Sequence, residues 1–149
     1  MKILVTGGKG FLGTHVCRVL KKYGHQAIDT DIQGSGIHLD VTEPDEADRL
    51  FKRIQPESVI HLAAVVGGGP SKAKPYEYFY INTLGTLNIL EACRLNNIQK
   101  LIYMSSFSPF GETYKPINEL TKLTSFAASG ICSASAEFVV KTYSRCYNI

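Results

Sequence analysis

The sequence predicts an α/β fold in which helices cover both faces of a doubly wound parallel sheet of at least five strands. Three observations lead to this prediction. Short apolar runs alternate along the chain with longer segments of helical periodicity. The connections between them are short, as in sheets whose parallel strands are joined by helices. A glycine-rich turn, residues 6–13, follows the first apolar run and opens the first helical segment.

Two strands and one helix account for the start of the chain. The first strand, residues 3–5, leads into apolar residues that recur at helical spacing from Leu12 onward. Gly24 is expected to end that helix, because glycine readily adopts the left-handed conformation found after helix C-termini. The second strand covers residues 26–30 and ends at Asp31.

The next helix lies between a short third strand, residues 37–41, and an almost continuously apolar fourth strand, residues 58–64. Such apolar continuity is typical of a parallel strand that is covered on both faces. Thr42 is the predicted N-cap of the helix, with Asp45 completing a pair that resembles a capping box. The buried face of this helix is expected to carry Ala47, Leu50, Phe51 and Ile54.

A long helix, a fifth strand and a final helix complete the fold. Glycines 67–69 follow the fourth strand and indicate either a mobile loop or a place where backbone meets a ligand. The long helix is expected from about Pro75 to Asn96, and the fifth strand over residues 101–104. Residues 107–125 are expected to form a loop, and the last helix covers roughly residues 131–147.

Composition limits the classes of function. The 149 residues suffice for one domain, 1–149, and 44% apolar with 19% charged residues indicates a soluble globular chain. A net charge of +3 from scattered basic residues argues against nucleic-acid or anionic-membrane partners. Since there is neither a signal-peptide pattern nor an apolar run long enough to span a bilayer, we expect a cytoplasmic protein. No metal site is predicted, because the cysteines and histidines are widely spaced: Cys17, Cys93, Cys132 and Cys146; His15, His25, His38 and His61.

The glycine-rich turn predicts dinucleotide binding in a Rossmann-like fold. Gly8, Gly10 and Gly13 fit the G-x-G-x-x-G fingerprint, and Gly7 with the last two fits its T-G-x-x-G-x-x-G variant. Such glycines permit a tight turn and a close approach of a pyrophosphate to the start of a helix, here Phe11-Leu12. A plain turn is the alternative, but the strand–turn–helix context favours the cofactor.

An acidic residue at the end of the second strand indicates which dinucleotide binds. Asp31 lies 18 positions beyond Gly13, near the place expected for a carboxylate that binds the adenosine ribose hydroxyls. Because this carboxylate would repel a 2′-phosphate, we predict NAD rather than NADP. Asp29 is a weaker candidate for the same role. Ligands of such sheets bind at the carboxyl ends of the strands, where the candidates fall: 7–13, Asp31, Asp40, 63–69 and Ser105-Ser106.

Five segments carry a family resemblance: V-T-G-G-K-G-F-L-G at 5–13, D-V-T at 40–42, V-I-H-L-A-A at 59–64, N-T-L-G-T-L-N-I-L-E-A at 82–92 and Y-M-S-S-F-S-P-F-G at 103–111. With them, nearly the whole chain resembles the extended short-chain dehydrogenase/reductase family, specifically its NAD-dependent nucleotide-sugar epimerases and dehydratases of the UDP-glucose 4-epimerase type. The resemblance implies NAD as cofactor and a nucleotide sugar as substrate.

The resemblance also implies residue roles. Asp40 and Val41 would flank the adenine, and Ala63-Ala64, with the following valine, would line the nicotinamide path. Asn82 would lie close to the reacting centre. Ser106 falls where the family keeps the catalytic serine or threonine that hydrogen-bonds the sugar hydroxyl being oxidised, and Ser105 precedes it at the same strand end.

The chain departs from the family at the Tyr-x-x-x-Lys pair, which removes the proton from that hydroxyl. One alignment register places Ser129 and Ser133 at these positions and keeps the usual spacing to Glu137; the other places Phe126 and Gly130 there. We favour the first register. In both, the phenol and the ammonium that would lower its pKa are missing.

The resemblance further implies that the substrate-binding C-terminal region of the family is absent from residues 1–149. Family dimers pair two helices across a two-fold axis, and the helices at 75–96 and 131–147 are richer in apolar residues than one buried face requires, so we expect a homodimer. Three functions stay open: an NAD-dependent sugar epimerase or dehydratase, a catalytically impaired NAD-binding sensor or partner module, and, least favoured, a purely structural domain.

Overall fold

Five parallel strands form the sheet at the centre of the protein, in the order β3-β2-β1-β4-β5. The computed structural model describes residues 1–34 and 36–149. The predicted α/β fold with at least five parallel strands is confirmed. The strands are β1 (Lys2–Thr6), β2 (Gln26–Asp31), β3 (Ile37–His38), β4 (Ser58–His61) and β5 (Leu101–Tyr103).

Six α-helices occur in the described part of the chain, with one π-helical segment, Phe79–Leu84, and one 3₁₀ turn, Ser108–Phe110. The first helix ends at Lys22 with Tyr23 as its C-cap, and the αL glycine Gly24 follows, as the sequence predicts. The helices are α1 (Phe11–Lys22), α2 (Pro44–Ile54), α3 (Gly68–Ala73), α4 (Pro75–Tyr78), α5 (Gly85–Leu95) and α6 (Ala128–Tyr147).

Helices cover both faces of the sheet, and β1 divides its side chains between two cores. Ile3 and Val5 pack with Cys17 of α1 on one face. Leu4, which is fully buried, packs on the other face in the cluster that contains Phe51 of α2 and residues of α5. Because successive strand side chains point to opposite faces, an uninterrupted apolar strand is required here.

The third strand and the start of the next helix differ from prediction. β3 ends at His38, and Asp40 Oδ1 accepts hydrogen bonds from the Thr42 N–H at 2.9 Å and the Thr42 hydroxyl at 2.7 Å. Thr42 lies in this local turn, one residue before the N-cap position, so its prediction as the helix N-cap is wrong. Helix α2 begins at Pro44 after Glu43, which makes no side-chain capping bond.

Residues 65–70 were expected to be irregular, but the short helix α3 begins at Gly68. From Pro75 the chain stays helical to Leu95, as predicted, with the π-helical segment between α4 and α5. Such π turns are rare and occur often at functional sites. This one contains Asn82 and turns that side chain inward, where it is 7% exposed.

The last part of the chain follows the prediction with small differences. β4 ends at His61 and β5 at Tyr103, each shorter than expected, and α6 begins at Ala128 rather than near residue 131. Helix α6 packs against α5 and the π-helical segment. Across residues 1–34 and 36–149, none of the helices has the length and apolar content needed to cross a bilayer.

Candidate functional site

Two cavities open along the carboxyl ends of the strands and share the glycine turn. The first cavity has a volume of about 670 Å³ and lies over the ends of β2 and β3. The second cavity, of about 440 Å³, lies over the ends of β4 and β5. Because Gly7, Gly10 and residues 62–65 line both cavities, one elongated ligand can extend across the two.

The glycine turn requires its glycines for steric reasons. Gly7 has a φ of +67°, and a Cβ placed on it would lie 2.8 Å from the backbone nitrogen of Ala63. A Cβ on Gly13 would lie 2.1 Å from the carbonyl oxygen of Gly7, which itself accepts the Gly10 N–H at 3.1 Å. The turn therefore lets β1, β4 and helix α1 approach each other closely.

Helix α1 presents an uncapped N-terminus to both cavities. The first N–H groups of a helix have no partner within the helix, and they attract anions. Gly10 is the N-cap and makes no side-chain capping bond. The first turn, all of which the structure describes, has no acidic side chain that would compete with an anion for these N–H groups. A pyrophosphate fits this arrangement, because the glycines leave the backbone accessible.

Asp31 lies at the rim of the first cavity and is held in place by two backbone N–H groups. Its Oδ2 accepts the Lys9 N–H at 3.0 Å and its Oδ1 accepts the Gln33 N–H at 3.1 Å. Asp29 lies on the far side of the turn, where it pairs with the Lys9 ammonium and lines a third cavity with basic residues of α1. Of the two candidate carboxylates, Asp31 is therefore the one placed at the rim of the first cavity.

The far end of the first cavity has an apolar wall. Val41 is 4% exposed, and its side chain packs against Gly85 of α5, where an added Cβ would lie 2.8 Å from Val41 Cγ2. Tyr80 and Ile81 of the π-helical segment line the opposite side. Asp40 also lines this cavity, with its Oδ1 engaged by Thr42. The space suits a flat ring system such as adenine.

A buried chain of hydrogen bonds connects the glycine turn to the π-helical segment. The Thr86 hydroxyl donates to the carbonyl oxygen of Asn82 at 2.6 Å, so it accepts from His61 Nε2, 3.1 Å away. His61 Nδ1 then accepts from the Thr6 hydroxyl at 2.6 Å, whose oxygen accepts the N–H groups of residues 62–63. Burial lowers the pKa of His61 to about 4, which keeps the ring neutral.

Two side chains hold the segment that follows β4. Asn82 accepts the Val65 N–H at 2.8 Å and donates to the Val65 carbonyl oxygen at 2.9 Å. The Tyr78 hydroxyl lies 2.8 Å from the carbonyl oxygens of Val66 and Gly67 and can donate its single proton to either. Asn82 thus lines the second cavity while its amide is engaged in fixing the cavity wall.

Serine hydroxyls gather at the floor of the second cavity. The Ser106 hydroxyl lies 2.5 Å from that of Ser108, whose N–H it accepts at 3.1 Å. The Ser105 hydroxyl donates to Glu137 at 2.6 Å. Ser129 and Ser133 of α6 line the same cavity, and Ser133 donates to the Ser129 carbonyl oxygen at 2.9 Å. The cavity offers several hydroxyls to a polar ligand.

The structure distinguishes the two alignment registers by position. Ser129 and Ser133 face the second cavity, whereas Phe126 is 95% exposed. A Cβ on Gly130 would lie 2.1 Å from Ser125 Oγ, so that position is filled by its surroundings. The register through Ser129 and Ser133 is therefore the one that places its residues at the site.

No described residue at the second cavity replaces the missing pair. Among the residues that line it there is no lysine, and the phenol present is that of Tyr103. The pKa of Tyr103 is raised to about 12, mainly by burial and further by the nearby Cys132 and Glu137. This phenol is therefore poorly suited to remove a proton near neutral pH.

The structure brings all but one of the predicted site residues to the two cavities. Gly8 is turned toward the third cavity: its N–H donates to the Thr30 carbonyl oxygen at 2.9 Å, and its added Cβ would meet Asp29. The lining residues without a prediction include Lys9, whose place inside the glycine motif was a signal, and Tyr80 and Tyr103, which no sequence pattern marked. The other predicted residues line one or both cavities: Gly7, Gly10, Phe11, Leu12, Gly13, Asp31, Asp40, Val41, Ala63, Ala64, Asn82, Ser105 and Ser106.

Known proteins have similar sequences. Protein CapI of Staphylococcus aureus is 34% identical over the whole of this chain and 51% of its own length. A putative UDP-glucose 4-epimerase of Methanocaldococcus jannaschii is 32% identical over 99% of this chain and 52% of its own length. The chain thus spans about half the length of these relatives.

Solved structures superpose on this chain over its full length. The UDP-glucose 4-epimerase of Thermus thermophilus in complex with NAD has a TM-score of 0.93 at 28% identity, covering 100% of this chain and 52% of its own. That of Thermotoga maritima with UDP-glucose has a TM-score of 0.92 at 29% identity, covering 100% and 53%. A profile of the NAD dependent epimerase/dehydratase family matches residues 3–149. The chain therefore belongs to the NAD-dependent epimerase/dehydratase family.

Proposed function

We propose that this chain forms the NAD-binding part of an enzyme that acts on a hydroxyl group of a nucleotide sugar. The observation that carries the proposal is the packing of the glycine turn against Ala63, with Asp31 at the neighbouring strand end. This packing creates one continuous site from the ribose end of the first cavity to the serines of the second. The relatives named as UDP-glucose 4-epimerases support the substrate class.

The residues present fit NAD along both cavities. The uncapped start of α1 would hold the pyrophosphate, and Asp31 would accept hydrogen bonds from the adenosine ribose. Val41 and Tyr80 would enclose the adenine. The nicotinamide would lie against residues 63–65, whose backbone is held by the buried hydrogen bonds described above.

The second cavity is where a sugar hydroxyl would meet the nicotinamide. Bound NAD supplies the acceptor for a hydride from the sugar carbon. Ser106 is exposed at the cavity and linked to Ser108, and it would hydrogen-bond the reacting hydroxyl. The sugar's other hydroxyls would find partners at Ser129, and the Ser105–Glu137 bond would fix the end of β5.

The absent proton acceptor supports a second function, an NAD-binding sensor or partner module. The Ser133 hydroxyl donates its proton to the Ser129 carbonyl oxygen of the same helix. A serine hydroxyl is also far too weak an acid to replace a phenol next to an ammonium. The pKa of Tyr103 lies well above neutrality. On these grounds we expect the chain by itself to bind NAD and to turn over very slowly or not at all.

One assay separates these functions. The protein is mixed with NAD and a UDP- or dTDP-sugar, and epimerised product and reduced cofactor are measured beside NAD binding by calorimetry. Turnover that Ser106→Ala abolishes and Ser144→Ala, on the exposed side of α6, leaves intact would support the enzyme. NAD binding without turnover would support the module. No binding at millimolar NAD would refute both.

The two helices expected to form a homodimer present apolar side chains to solvent. Leu95 of α5 is 50% exposed, and Phe138 and Tyr147 of α6 are 62% and 49% exposed. An apolar surface of this kind on two adjacent helices favours an isologous contact with a second copy. We propose a homodimer on this face. Sedimentation that finds only monomer at tens of micromolar protein, or a dimer that Phe138→Glu does not weaken, would contradict it.

A further inference from the structure

Two carboxylates and one ammonium lie around the glycine turn, Asp31 at the rim of the first cavity, Asp29 at the third cavity and Lys9 at both. The Lys9 ammonium lies 2.5 Å from Asp29 Oδ2, while the Lys9 backbone N–H binds Asp31 at 3.0 Å. Lys9 therefore lies between the two acids, with its main chain bound to one and its side chain to the other. The Lys9 side chain is 35% exposed and that of Asp29 is 25% exposed, so the pair is only partly shielded from water.

We propose that Asp29 determines coenzyme choice by holding the Lys9 ammonium away from the ribose subsite. This inference rests on the proposed binding of NAD. With Lys9 neutralised by Asp29, the carboxylate of Asp31 is the charge that a coenzyme meets at this end of the cavity. A 2′-phosphate is repelled there, whereas two ribose hydroxyls are accepted as hydrogen-bond donors.

Packing around Lys9 explains why its side chain takes this direction. The aliphatic part of Lys9 runs beside the loop between β2 and β3, where an added Cβ on Gly34 would lie 3.5 Å from Lys9 Cγ and one on Gly36 3.2 Å from Lys9 Cε. The two glycines thus leave a channel for the lysine. Their φ angles of +82° and +154° suit glycine and disfavour other residues.

The pKa values of Lys9 and Asp29 are shifted in the directions that an ion pair produces. The pKa of Asp29 is lowered, chiefly by its hydrogen bond to Lys9, and the pKa of Lys9 is raised, chiefly by the same bond. Both groups are therefore charged throughout the neutral range. Lys9 itself lines the first cavity, and its flexible stem allows the ammonium to reach the cavity once Asp29 no longer holds it.

The proposal is tested by titrating NAD and NADP into the wild-type chain and into Asp29→Asn by calorimetry. We expect the wild type to prefer NAD. In Asp29→Asn the freed ammonium should raise the affinity for NADP by at least about tenfold, as expected for one charge-assisted phosphate contact. The affinity for NAD should change by less than about threefold, so the NAD-to-NADP ratio should fall.

Two further variants make the result specific. Adding Lys9→Met to Asp29→Asn should remove the gain in NADP affinity, since no ammonium is left to meet the phosphate. Asp48→Asn, which breaks the Asp48–Lys52 pair on α2, should leave the ratio of the two affinities unchanged. Should Asp29→Asn fold poorly, Asp29→Thr serves instead, because threonine is well suited to a strand.

An unchanged NAD-to-NADP ratio in a folded Asp29 variant would overturn the proposal while leaving NAD binding intact. A gain in NADP affinity that persists in the Lys9→Met background would also overturn it, because the lysine would then not be its source. A wild-type chain that binds neither coenzyme would overturn both this proposal and the proposed function.

Discussion

Asn82 pairs with the backbone of Val65 in both directions. Its side-chain oxygen accepts the Val65 N–H at 2.8 Å and its side-chain nitrogen donates to the Val65 carbonyl oxygen at 2.9 Å. The amide thus pairs with the backbone of Val65 as a neighbouring strand would. It lies in a π-helical turn and holds the wall of the second cavity in place. The backbone carbonyl of Asn82 continues through Thr86 and His61 to the glycine turn, so both cavities share one hydrogen-bonded support.

Replacing Asn82 by alanine should loosen that wall. Two backbone groups of Val65 lose their partners, which costs about 1–3 kcal/mol of unfolding free energy, and affinity for NAD should fall because residues 63–65 are less well held. Urea unfolding and calorimetric titration measure the two effects. Gln99→Ala, at an exposed position before β5, is the control and should change the unfolding free energy by less than about 0.5 kcal/mol. Unaltered NAD affinity in Asn82→Ala would contradict a role in holding the site.

Gly13→Ala should abolish NAD binding. The new methyl group would lie 2.1 Å from the Gly7 carbonyl oxygen, so the turn and helix α1 have to separate. Gly69→Ala is the matched control, because a Cβ there has no described neighbour within 4 Å and the residue lies in helix α3. We expect the control to bind NAD like the wild type, measured by calorimetry. Normal binding by Gly13→Ala would show that phosphates do not sit on this turn.

The fold and the family could be predicted from the sequence because burial imposes periodicity. The apolar run of β1 faces two cores, and the parallel topology then gathers the strand ends at one edge. The glycine turn could be found because it lies between a strand and a helix. Asp31 could be found because one helix and one strand separate it from that turn, which fixes its spacing from Gly13. The predicted family and NAD as its cofactor are confirmed by the match over residues 3–149 and by neighbours solved with NAD.

The remaining features depend on contacts that periodicity does not encode. Thr42 was predicted to cap α2, but its hydroxyl donates to Asp40 in a local turn and the helix begins one residue later, after Glu43. The ion pair between Lys9 and Asp29 joins two separate elements and leaves no pattern in the chain. Nor did the sequence indicate the π-helical turn that aims Asn82 at Val65, since its residues continue an ordinary helical pattern.

Stability should fall on mild acidification because His61 is buried and neutral. Its pKa is about 4 in the folded protein, below the usual 6.5, so the unfolded chain binds the extra proton first and stability is lost as pH falls below 6.5. From pH 7 to pH 5 the expected loss is about 2 kcal/mol. Urea unfolding at the two pH values measures it.

His61→Gln should remove this part of the pH dependence, although it also costs stability at pH 7 through the hydrogen bonds to Thr6 and Thr86. His15→Gln, at an exposed position of α1, should retain the pH dependence. If His61→Gln loses as much stability between pH 7 and pH 5 as the wild type, another group is responsible.

The double variant Ser129→Tyr/Ser133→Lys should introduce the missing acid–base pair. The two positions lie one helical turn apart and face the second cavity, so the ammonium would lie near the phenol. The phenol should then titrate below its usual pKa of about 10, because a nearby positive charge favours the phenolate. Ultraviolet absorbance during a pH titration measures this shift, and cofactor reduction in the presence of a UDP-sugar tests for gained turnover.

The single variant Ser129→Tyr lacks the ammonium, so its phenol should show no such lowering and no gain in turnover. Phe126→Tyr/Gly130→Lys tests the other register: Phe126 is exposed, and the side chain added at Gly130 would collide with Ser125. This second pair should destabilise the protein without lowering a phenol pKa. A lowered pKa in Phe126→Tyr/Gly130→Lys, or none in Ser129→Tyr/Ser133→Lys, would place the acid–base positions elsewhere than on the Ser129–Ser133 face of α6.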